Sequence, residues 1–185
     1  MTLHLDDDTR GQIAAAAFGI RRLSVEMITW AQWGHIGGSF SMAELLAVLY
    51  FHHMSVRPED PAWEGRDRLI LSKAHGSSGL YAALALRGYF PESDVYGYCE
   101  LGGRLEGHTD MLRTPGLESS GGPLGMGLSV AVGRALACAT SVIRGHACSA
   151  SWVTASRTRA TSGKRRWQLP TSTSTTSSPS WTTTR

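Results

Sequence analysis

Three histidines in this 185-residue chain each sit beside a glycine: Gly34-His35, His75-Gly76 and Gly107-His108. An imidazole titrates near neutrality, so it can give or take a proton under ordinary conditions. A further feature is the loop Gly121-Gly122-Pro123-Leu124-Gly125-Met126-Gly127, which runs into a small, apolar segment, Leu128 to Ala137, that reads as a helix. Backbone N–H groups of such a loop can approach a ligand with no side chain in the way. At a helix start, unpaired N–H groups and the helix dipole favour an anion, typically a phosphate. Taken singly, His35 or His108 reads as a capped loop histidine, and glycine turns before helices are common. Together they describe an anion cradle with proton-transfer groups near it.

The surrounding elements must place these groups. Ile13, Ala17, Ile20, Met27 and Trp30 recur near helical spacing over about Thr9 to Trp33, with Ile20, Met27 and Trp30 as a core stripe. Asp6, Asp7 and Asp8 favour the helix start, and Gly34 can stop it. Ser41 and Glu44 fit a capping box, followed by a helix carrying Leu45 to Phe51 with His52 and His53 on the surface at its end. Pro58 to Trp63 reads as a loop. Leu69-Ile70-Leu71 is the short apolar run of a buried parallel strand, and His75 lies just beyond its carboxyl end, where α/β folds bind ligands. Gly79 to Arg87 resumes as a helix closed by Gly88, and Pro91 suits the first turn of another. Gly102 to Gly116 reads as a loop.

Composition divides the chain. Residues 1–137 hold 11 Lys/Arg and 15 Asp/Glu, a net −4, whereas residues 138–185 hold 7 Lys/Arg and no acid, a net +7. In the second part 21 of 48 residues are Ser or Thr, too polar to offset the entropy of ordering. The expected organisation is one partial α/β domain over 1–137, truncated after about residue 137, and a disordered basic tail over 138–185. No apolar run is long enough to span a bilayer. The acidic N-terminus lacks an apolar signal core, so a cytoplasmic location is expected. Cys99, Cys138 and Cys148 have no metal-ligand spacing and give no disulfide framework.

Four ordered stretches resemble transketolase: Gly34-His35-Ile-Gly-Gly-Ser-Phe-Ser, Asp67-Arg68-Leu-Ile-Leu-Ser-Lys-Ala-His75-Gly76-Ser77, Leu105-Glu-Gly107-His108, and Gly122-Pro123-Leu124-Gly125-Met-Gly127. The match covers roughly residues 10–137. The second stretch is more like transketolase than like the synthase that makes deoxyxylulose phosphate on the same fold. The resemblance implies a thiamine-diphosphate-binding fold with a parallel sheet between helices. It implies transfer of a two-carbon ketol unit between sugar phosphates, as in the pentose phosphate pathway. By the same carry-over His35 faces substrate near the cofactor, His75 lies near the diphosphate and the donor hydroxyl, and His108 binds the donor and shuttles protons. Gly122, Pro123, Leu124 and Gly125 approach the diphosphate and the pyrimidine ring. Glu106, Asp110 and Lys73 read as solvated or structural.

The family also needs magnesium, held by a Gly-Asp-Gly motif and a downstream Asn after the helix ending near Ala137. Neither occurs in residues 138–185, so no metal ligand is assigned. Reverse translation gives a reason. Trp152-Val153-Thr154-Ala155 requires TGG GTN ACN GCN, which one base earlier is compatible with Leu-Gly-Asp-Gly; the Gly is forced, as is an Asp under Trp181-Thr182. A one-base deletion near the codons for Leu136 to Cys138 is inferred. The family's pyrimidine-binding domain is also outside the chain, and the short N-terminal lead resembles the N-terminal subunit of a split transketolase. A C-terminal partner subunit and a homo-oligomer are therefore expected. The literal chain is expected to fold poorly and to be inactive alone. Two alternatives stand: a noncatalytic product of a broken gene, and a basic-tailed nucleic-acid-binding protein.

Overall fold

Asp6 begins the fold by capping the first helix. Its carboxylate accepts from Thr9 N and Thr9 Oγ1, each at 2.8 Å, and Asp7 and Asp8 follow in the first turn of α1 (Asp7–Ala31). The computed structural model describes residues 5–140 and 150–153. α1 buries Ala17, Ile20, Leu23, Ser24 and Met27. It stops two residues before the expected end, because Gln32 takes the left-handed conformation (φ 52°) ahead of Gly34 (φ 138°). Trp30 leaves the predicted core stripe. It is 62% exposed and packs edge-on against Tyr96, with ring centroids 5.4 Å apart. The helix ends one residue later, at Ala31, so no core remains opposite it.

Two one-turn helices follow, α2 (Ile36–Phe40) and α3 (Ala43–Val48), and α3 passes into a wide π turn at Leu49–His53. The expected capping box is not formed: Met42 is the N-cap and makes no side-chain cap bond. Both partners are engaged elsewhere. The Ser41 hydroxyl donates to Gly38 O and accepts from Lys73 Nζ, and Glu44 pairs with Arg21. His52 and His53 are exposed at the end of the turn.

β1 (Arg68–Leu71) sends Leu69 and Leu71 into the main core, whereas Ile70, one residue out of phase, is buried apart from that cluster. A strand buried on alternate sides reads as a continuous apolar run, which is how it was legible. A single 3-10 turn, Ala74–Gly76, joins it to α4 (Ser77–Arg87). Residues Ser77 to Ala85 are all buried, so α4 is the central helix, packed on both α1 and α3. Gly88 (φ 96°) ends it, its N–H donating to Leu84 O and Ala85 O. Pro91 caps a 3-10 helix over Glu92–Gly97, and residues 102 to 116 hold no helix or strand.

The glycine run leads into α5 (Gly127–Thr140), which packs on β1 and β2 (Ala150–Val153). β2 pairs in parallel with β1 in the register Arg68–Ala150, Leu69–Ser151, Ile70–Trp152 and Leu71–Val153. Most of α5 is the helix expected over Leu128 to Ala137, whereas its last three residues and β2 lie beyond residue 137, the expected end of the domain. The backbone of the segment Ala-Ser-Trp-Val adds a second strand in spite of the polar composition around it. Residues 141–149 and 154–185, most of the predicted tail, lie outside the described residues. The middle of α5 is linked to the start of β1 through Glu118, which is 5% exposed and faces two guanidiniums, Arg66 Nε at 2.6 Å and Arg68 Nε at 3.4 Å. Arg134 of α5 donates to Glu118 O at 2.9 Å. Among the described residues no helix is long and apolar enough to cross a membrane.

Candidate functional site

Each predicted histidine belongs to a different segment. His35 is the N-cap residue of α2 and is exposed. His75 lies in the turn after β1, half-buried. His108 is exposed on the loop that passes the start of α4. The fold brings them together. The His35 and His75 rings meet edge to face with centroids 5.7 Å apart. The Trp33 ring also meets His35 edge-on, with centroids 6.2 Å apart. Burial, first, and then the charges of His35, Lys73 and His108 push the His75 imidazole below its ordinary value, so it is held neutral. A neutral imidazole has one donor and one acceptor nitrogen, the state that proton exchange at a hydroxyl requires.

The His108 loop is hung from α4. Tyr81 Oη donates to Glu106 O at 2.9 Å and to His108 O at 3.3 Å, and Ser77 Oγ donates to Gly107 O at 2.7 Å. Tyr98 Oη lies 3.2 Å from the Ser77 hydroxyl, and burial pushes the Tyr98 phenol up to about 12. Burial pushes the Tyr81 phenol up as well, so both phenols stay protonated and act as fixed hydrogen-bonding groups. Ser77 and Tyr81 were not singled out from the sequence. Their one signal is position, on the first turns of the helix that begins beside His75.

The glycine loop is tied down at its start and open at its centre. Gly121 N donates to Thr109 O at 2.8 Å. A Cβ at Gly121 would come 2.6 Å from Thr109 Oγ1, so no side chain fits there. Gly122 faces open space, Pro123 and Leu124 are exposed, and Gly125 has φ 90°. A cleft of about 460 Å³ lies at this junction, lined by residues 106–110, Ser120 and Gly121. His35 and His75 are not among its lining residues. Glu106 pairs with Arg113 at 3.0 Å, and Asp110 accepts from Leu112 N and Ser120 Oγ, in line with a structural role for both acids. Lys73 is structural too, but it is buried rather than solvated.

Among the described residues two buried hydroxyls have no partner: Ser72 Oγ, beside the start of α5, and Thr109 Oγ1, beside the start of the glycine loop. Orphaned hydroxyls at both ends of a glycine cradle, with open space at Gly122 between them, fit a diphosphate-bearing cofactor. The described residues do not fit the magnesium ion: no group of three His, Cys, Asp or Glu side chains among them could hold a metal.

Comparison with known proteins gives the class of this site. A family model described as "Transketolase, thiamine diphosphate binding domain" matches residues 13–149. A 6-deoxy-6-sulfo-D-fructose transketolase subunit from Clostridium sp. (strain MSTE9) is 51% identical over 118 residues, covering 64% of this chain and 43% of that protein. A transketolase from Treponema pallidum is 44% identical over 130 residues, covering 70% of this chain and 20% of its own length. Among solved structures, transketolase from Leishmania mexicana aligns with a TM-score of 0.66 and 36% identity over 72% of this chain and 19% of that one. The chain belongs to the thiamine diphosphate-binding domain family of transketolase. It spans less than half the length of these relatives, and the α/β expectation agrees with its structural neighbours. The comparisons lend no support to the nucleic-acid alternative.

Proposed function

We propose that this chain is the N-terminal, cofactor-binding part of a transketolase that works with a separate C-terminal polypeptide. The substrates are sugar phosphates and the reaction moves a two-carbon ketol unit between them. The subunit reading is supported by the Clostridium relative, itself a subunit, of which this chain covers 43%. The observation that carries the functional reading is the convergence of three histidines from separate segments beside a glycine cradle with two orphaned hydroxyls.

When bound, thiamine diphosphate supplies the electron sink for cleaving the bond next to a ketose carbonyl. The remaining work falls to the protein. Gly122, Pro123, Leu124 and Gly125 offer backbone to the diphosphate, aided by Ser72 Oγ and Thr109 Oγ1. His75, held neutral, exchanges a proton at the donor hydroxyl beside that loop. His35, edge-on to it, orients the donor from the α2 side. His108, hung from Tyr81, binds the donor and exchanges protons from the cleft beside the start of the glycine loop. The family's magnesium would need ligands outside the described residues, and no step is assigned to it. The sheet is expected to extend beyond the two described strands, and the assembly is expected to be a homo-oligomer of paired subunits in the cytoplasm.

The domain boundary belongs to the same proposal. The shifted-frame reading of Trp152 to Ala155 and the acid-free composition after residue 137 support a one-base deletion near the codons for Leu136 to Cys138. Calorimetric titration with thiamine diphosphate, with and without Mg²⁺, tests the function on the literal chain and on one with the frame restored. Binding that needs Mg²⁺ and appears only on restoring the frame supports both readings. No binding in either chain, with the fold intact by circular dichroism, would sink the cofactor reading and leave a noncatalytic product.

A further inference from the structure

Lys73 is the one charged residue of the site that is buried without an opposite charge. It is 4% exposed, and no carboxylate pairs with it among the described residues. Its ammonium donates instead to Gly38 O at 2.8 Å and to Ser41 Oγ at 2.7 Å. Burying an ammonium against neutral acceptors is expensive. A residue that tolerates this must hold its two acceptors in place.

Both acceptors belong to one short segment. α2 is a single turn containing two glycines, so it has almost no helical preference of its own. Its position is set by contacts with its neighbours. Ser39 Oγ lies 2.7 Å from Ser78 Oγ and accepts from Gly79 N at 3.0 Å, satisfying a free N–H in the first turn of α4. Gly38 lies against the His75 ring, where a Cβ would come 3.0 Å from Cδ2. His35 opens the same turn as its N-cap, and Lys73 lies two residues before His75. The bonds from Lys73 therefore close a ring through the two segments that carry the facing imidazoles.

We infer that Lys73 is a positioning residue whose ammonium clamps the Gly38–Ser41 turn onto the end of β1 and so fixes the His35–His75 pair. The catalytic meaning of that pair rests on the proposed function, but the clamp itself needs no cofactor. The groups facing His75 are His35, Lys73 and His108. Removing the Lys73 charge, or letting His35 swing away, would each make His75 easier to protonate.

The test is a pH titration of the histidine ring C–H resonances by NMR on the full 185-residue chain, without cofactor. In Lys73→Met the His75 midpoint should rise by roughly half a pH unit, as expected on removing a nearby like charge. The His35 resonances should move with it, while those of His52 and His53 stay in place. Ser41→Ala keeps the charge and removes one acceptor, and should move His35 in the same sense but by less. It also decides the matter should Lys73→Met not fold. If His35 stays put in either folded variant, the clamp is overturned: movement of His75 alone would leave Lys73 acting through charge only. A chain that binds no thiamine diphosphate would defeat the proposed function and leave this result readable.

Discussion

α4 and α5 are helices of similar length in opposite circumstances. Residues Ser77 to Ala85 of α4 are all buried. On α5 and the loop before it, Ala131 is buried, but Leu124, Met126 and Leu136 are 44%, 56% and 55% exposed. The histidine end of the site is thus backed by a closed core, whereas the glycine loop carries exposed apolar side chains and leads into a helix whose apolar residues are mostly half-buried. The histidines proposed to transfer protons therefore sit against buried structure of this chain. The proposed anion cradle leads into α5, which packs on β1 and β2.

The largest break in this contrast should come where the two regions are riveted together. Glu118→Ala leaves Arg66 and Arg68 facing each other inside the protein and should cost about 3–5 kcal/mol, read as a fall in the urea midpoint. An unchanged midpoint would mean that the two regions are not coupled through this carboxylate. Next, Leu84→Ala, at a fully buried position of α4, should cost about 2–5 kcal/mol, whereas Met126→Ala should fall within about 0.5 kcal/mol. Equal costs in paired thermal melts would remove the distinction between a closed and an open region. Tyr81→Phe deletes the hydroxyl that holds the His108 loop and should cost about 1 kcal/mol, with faster amide exchange at Gly107 and His108 but not along α5. The smallest effect is in pH. His75 is depressed from 6.5 in the folded chain, so the unfolded chain binds the extra proton first. Its contribution is present above about pH 6.5 and is lost as pH falls toward the folded value. The melting temperature should decline over that interval, and His75→Gln should flatten the decline.

The sequence was most legible where one residue type has few uses. The apolar triplet at Leu69–Leu71, the closing Gly88 and the helix-starting aspartates each mark a local preference that the fold obeys. Two of the three glycine-flanked histidines, His35 and His75, also meet ring to ring, although they come from separate segments. Less legible were choices made by tertiary competition. Ser41 and Glu44 have the spacing of a cap but are drawn off by Lys73 and Arg21, which come from distant segments. Trp30 has core periodicity, yet the helix ends before the core can meet it. The roles of Ser77 and Tyr81 were invisible because a carbonyl acceptor such as Glu106 O carries no side-chain signature. The second strand was missed because composition averaged over 48 residues hides a four-residue segment.

Glu118 fixes one end of the glycine loop and α5 fixes the other, with Gly121 pinned to Thr109 O between them. The stretch left free is therefore short, and little of it remains to be ordered when an anion arrives. Association at this loop should be quick, limited by encounter rather than by a folding step. The heat-capacity change should be small, matching the modest apolar area of a cleft that is already shaped.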